Sequence, residues 1–212
     1  MASYSLVAVY SAMAVYTLSF LLFTLDLATT TSNEPSRVLA AVRGGEAPSD
    51  EAEAKQTALP SPMQRVARGL LAVGWLIHFA GTVLRGLAAE RVPWSNMFEF
   101  GLTSTLLIVA VYIGSLFWRD LGYLGAFVSG FVLLSLGIVT VNFYVDVVPL
   151  PPALQSGWLV IHVFVASLAT AFFALGAGVS LFQLVRERGG GAGKSPSRLL
   201  NTLPDGPALE SV

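Results

Sequence analysis

Leu154-Gln155-Ser156-Gly157-Trp158-Leu159-Val160-Ile161-His162-Val163-Phe164-Val165-Ala166 opens the last long apolar run of the chain, which continues to about Val185. A run of this length crosses a hydrocarbon core of roughly 30 Å as a helix. It also holds one of only two histidines in the chain. Imidazole titrates near neutral pH and ligates metals through a ring nitrogen. An ionisable residue near the mouth of a membrane helix is costly to place, which marks His162 as a candidate for function.

Outward from this stretch, the composition agrees with a membrane chain. Of 212 residues, 54% are hydrophobic and 12% charged, with mean hydropathy +0.69. Soluble domains carry about 25% charged residues. There is no cysteine, so disulfides, thiolate metal sites and covalent haem attachment to this chain are excluded.

Five spans are expected: about 4–25, 66–88, 100–118, 121–144 and 158–185. The fold class is all-α, a polytopic membrane helix bundle. The organisation is a first transmembrane helix within 1–25, a disordered cytoplasmic loop over 26–65, a four-helix membrane part over 66–185, and a flexible cytoplasmic tail over 186–212. The loop is polar, with Gly44-Gly45 and prolines at 48, 60 and 62. The tail segment Gly189–Ser195 looks like a phosphate loop, but that motif needs glycine at 188, where Arg stands.

Basic loops stay cytoplasmic. With the N-terminus outside, ten of the twelve Lys and Arg fall inside, leaving Arg85 and Arg91 outside. The expected orientation is N-out, C-in, which puts the turn after span 2 and the start of span 5 on the outer side.

Two constellations then share that side. The first is Arg85, Arg91, Pro93, Trp94, Asn96 and Glu99, with Ser95 expected to cap the third helix and Glu99 near the positive end of its dipole. The second is Gln155, Ser156, Trp158 and His162. His78 lies near mid-depth of span 2, two turns from Arg85 and on its face. Bland alternatives exist for each: His78 and His162 as hydrogen-bonded core residues, Arg85 as a snorkelling side chain, Trp94 and Trp158 as interface anchors.

The residues also carry a resemblance. Arg85 followed by Arg91-Val92-Pro93-Trp94-Ser95-Asn96-Met97-Phe98-Glu99 resembles the Arg…Pro-x-x-Asn-(Met/Leu)-(Tyr/Phe)-Glu signature of the CcsA/ResC cytochrome c biogenesis family. Leu154-Gln155-Ser156-x-Trp158-Leu159-x-Ile161-His162-Val163 resembles that family's second signature. The resemblance covers about 68–186, the first two-thirds of the family's pattern. It lacks the tryptophan-rich segment, the second external histidine and the membrane histidine that follow there.

The resemblance implies a multi-pass protein of the bacterial plasma membrane, part of a haem lyase complex with a ResB-type partner. Haem b, held non-covalently, is presented at the outer surface to the Cys-x-x-Cys-His motif of apocytochrome c. It makes His162 an axial ligand to haem iron, with Trp158, Gln155, Arg85, Asn96 and Glu99 as candidate haem-binding residues and His78 as a weaker one. No catalytic side chain and no nucleic-acid partner are expected. The alternative is a non-catalytic assembly subunit that docks a partner without binding haem; a small-solute transporter lacks the expected repeats and broken helices.

Overall fold

The computed structural model describes residues 1–44, 60–119, 121–148 and 156–190, most of which are helical, with no strand among them. We number the helices α1 (Ala2–Gly44), α2 (Pro62–Ala89), α3 (Met97–Ser115), α4 (Gly125–Asn142) and α5 (Gly157–Gly190); a 3-10 turn, Gly122–Leu124, leads into α4. Among the described residues, five helical stretches are long and apolar enough to cross a membrane: Ala2–Thr29, Pro62–Ala89, Met97–Ser115, Gly122–Asn142 and Gly157–Val185. The fold class is therefore the expected one.

The helix ends follow local chemistry. Ser61 caps α2, its Oγ accepting from the Gln64 N–H at 2.9 Å, with Pro62 in the first position where no donor is missed. At the other end Glu90 turns the chain with φ 51°, the left-handed geometry that commonly ends helices. α1 runs past Asp26 to Gly44, into the stretch expected as loop. That extension runs through Pro35, a residue helix interiors disfavour, before 37–44 returns to Ala, Val, Leu and Arg. The remainder of that loop (45–59), Asp120, the Pro149–Pro152 cluster and the tail from 191 lie outside the described residues.

The helices alternate up and down. α1 packs along α2 and α4; α3 packs on α2, α4 and α5, so α5 is held mainly by α3. The buried stripe of α2 is Ala67, Leu71, Gly74, His78, Thr82 and Arg85, the three- and four-residue spacing of one helix face. Gly74 is needed there: a Cβ would stand 2.9 Å from the Tyr16 ring of α1. Serines bolt the same pair, Ser5 Oγ donating to the Gly81 carbonyl at 2.7 Å and Ser19 Oγ to the Ala67 carbonyl at 2.9 Å. Small residues and hydroxyl bonds are the usual glue between membrane helices, where apolar burial offers little against lipid.

This threading gathers the start of α1, the end of α2, the start of α3, the end of α4 and the start of α5 at one end of the bundle. The other end holds Asp26 bonded to Ser61, and Tyr112 Oη donating to the Leu121 carbonyl at 3.3 Å.

Candidate functional site

The first constellation closes into one buried network. Glu99 sits in the first turn of α3, fully buried. Its Oε1 accepts from Arg85 Nε at 3.1 Å, and its Oε2 accepts from Arg91 Nη1 at 2.7 Å. Oε2 also accepts from the Ser95 N–H and Ser95 Oγ, both at 3.0 Å. The cap of α3 is Asn96 rather than the expected Ser95: Asn96 is extended (φ −145°) and its Oδ1 accepts from the Glu99 N–H at 2.9 Å. Ser95, one residue earlier, is thereby released to bind the carboxylate.

Arg85 is also buried, at 1% exposure. Its Nη2 donates to the Val145 carbonyl at 2.5 Å. Its guanidinium carbon lies 5.2 Å from the Phe98 ring centre and 5.8 Å from that of Tyr144, within cation–π range. Arg91 Nη2 donates to the Val148 carbonyl at 3.4 Å. Two guanidinium groups thus share one carboxylate and spend other donors on carbonyls of the segment after α4. Burying such charges is tolerable only with this degree of pairing.

The second constellation is not part of that network. Ser156 starts α5, its Oγ accepting from the Trp158 N–H at 3.3 Å. Trp158 is 78% exposed and His162 is exposed; His162 makes no hydrogen bond or ring contact with a described residue. The buried face of α5 carries Ser167, Ala171 and Leu175, with Ser167 Oγ 3.3 Å from Ser104 Oγ of α3. At about 100° per residue, His162 stands roughly 140° around the helix from Ser167. Trp158 precedes it by about one turn and Val165 follows it, so the imidazole is flanked by exposed apolar side chains on the outward face. Gln155 lies outside the described residues. A ring contact bridges toward the second group: Trp94 lies 6.4 Å from Phe164 of α5.

His78 is fully buried instead. Its Nδ1 lies 3.4 Å from Tyr16 Oη, the rings meet edge-on, and the Leu102 backbone lies against the imidazole. It stands where α1, α2 and α3 meet. No group of three His, Cys, Asp or Glu able to hold a metal ion comes together among the described residues.

Among the network's members, the sequence pointed to Arg85, Arg91, Asn96 and Glu99. It did not point to the Val145 and Val148 carbonyls, because a backbone acceptor leaves no trace in residue type. It set the two histidines at different depths, His78 mid-span and His162 near a helix mouth, and the structure buries the first and exposes the second.

No protein-family model matches the chain. It is similar to the cytochrome c biogenesis protein CcsA of Trieres chinensis, 31% identical over 104 residues, 48% of this chain and 33% of the relative. It is also similar to the protein of that name from Synechococcus sp. (strain JA-2-3B'a(2-13)), 32% identical over 109 residues, 50% of this chain and 31% of the relative. The match thus spans about a third of the length of each relative. The two signatures, the multi-span helical architecture and these similarities agree: about half of this chain is similar to a region of CcsA-type cytochrome c biogenesis proteins.

Proposed function

We propose that the chain takes part in cytochrome c biogenesis as the His162-bearing part of a membrane component that presents haem at the outer surface. The observation that carries this reading is the outward imidazole of His162 beside Trp158 on the first turns of an apolar helix of membrane length, in a chain similar to CcsA over about half its length. An unengaged imidazole offers an axial nitrogen to haem iron. Trp158 and Val165 offer an apolar wall for one side of the macrocycle, which fits haem as a bound substrate. A second axial ligand and the rest of the enclosure come from outside the described residues: a ResB-type partner or further CcsA-type sequence.

The chemistry served is addition of apocytochrome thiols across the haem vinyl groups. Each S–C bond forms as the thiol proton passes to the other vinyl carbon, so no oxidant is consumed. The contribution of this chain is position and exclusion of water rather than acid–base work. The N-out orientation belongs to the same reading, with Arg65, Arg68 and Arg119 at the opposite, cytoplasmic end. A haem-stain assay of a Cys-x-x-Cys-His reporter in cells carrying the complete assembly tests it. Loss of covalent haem in His162→Ala, with the chain still in the membrane, is expected; undiminished reporter maturation overturns the reading.

A further inference from the structure

We propose that the Arg85–Glu99–Arg91 cluster is a positioning clasp that sets the pose of the α5 turn carrying His162; its consequence for haem rests on the reading above. Residues 144–148 follow α4 without helical or strand bonding. Backbone carbonyls that leave regular structure near the membrane need donors. Here the donors are Arg85 Nη2 for Val145 and Arg91 Nη2 for Val148. The Tyr144 ring adds an edge-on contact to Phe98, 5.2 Å between centres. Eight residues separate Val148 from the start of α5 at Gly157.

The same α2–α3 turn also touches α5 on the far side of that connection. Trp94 packs on Phe164, two residues beyond His162. The turn therefore grips the connection before it and the helix after it. Glu99 is the keystone. Its carboxylate holds both guanidinium groups in register, one by Nε and the other by Nη1 and Nη2, leaving Arg85 Nη2 aimed at Val145 and Arg91 Nη2 within reach of Val148. A neutral side chain of the same shape at 99 leaves two cations facing each other with no charge between them.

The natural absence of cysteine makes the test direct. Single cysteines at Val148 and Ile161, both about half exposed, are labelled with a nitroxide in the purified full chain. Electron paramagnetic resonance spectra are recorded for the parent and for Glu99→Gln. The clasp predicts that both labels lose their immobile component in Glu99→Gln, with helix content unchanged, and that a label at Phe131 on α4 does not respond. Loosening at Val148 alone, or at neither site, overturns the proposal and reduces the cluster to a cap of α3. Should Glu99→Gln fail to fold, Arg91→Gln removes the Val148 bond while leaving Arg85 with Glu99, and the same two labels decide. In the partner complex, Glu99→Gln is expected to shift the absorption maximum of His162-dependent haem. Absence of haem in the parent counts against the haem reading, and the labels judge the clasp without it.

Discussion

Asn96 and Glu99 are three residues apart and share one turn, yet they do different work. Asn96 caps α3 through a neutral hydrogen bond at its rim. Asn96→Ala is expected to cost about 1 kcal/mol, the usual loss of an N-cap. Glu99→Ala strands two guanidinium groups, one of them fully buried. Breaking a buried pair by deleting one partner costs about 3–5 kcal/mol. Thermal unfolding of the two variants in detergent checks the contrast, which requires Glu99→Ala to be clearly the worse. Sequence reading at this scale found the charged members because charge near a membrane is rare. It misplaced the cap by one residue, since Ser and Asn are nearly equivalent caps and only the local backbone distinguishes them.

At the scale of elements, the helices were legible because uncharged runs of membrane length are hard to mistake. What was not legible was which face of α5 meets α3. A helix apolar on all sides carries no periodic signal. The contact is made through Ser167 and Ala171, leaving His162 and Trp158 outward. α2 is the opposite case: its small residues Gly74 and Gly81 lie directly against α1. Gly74→Leu places a side chain in the space of the Tyr16 ring. Overpacking of this kind costs about 1–3 kcal/mol, read as a lower unfolding temperature, while a Leu at Gly69, which faces open space, is expected to be near neutral.

At the scale of the whole fold, the five antiparallel spans among the described residues place the Arg85–Glu99 network and the start of α5 at one end and the Tyr112–Leu121 turn at the other. That shared end was foreseeable by counting spans. The separation of His162 from the network within it was not, because it depends on helix rotation. Cysteine labelling by a membrane-impermeant maleimide tests the sidedness. Val92→Cys in the α2–α3 turn is expected to react from outside in intact cells, and Trp118→Cys in the turn after α3 only after lysis; both residues are exposed. The reverse pattern inverts the proposed orientation. The central claim is that His162 presents haem iron with an outward axial nitrogen, and the most direct measurement is a reduced-minus-oxidised haem spectrum of the chain purified with its membrane partner. The account predicts a haem signal in the parent that falls sharply in His162→Ala at equal protein and partner content. An equal signal in both contradicts it.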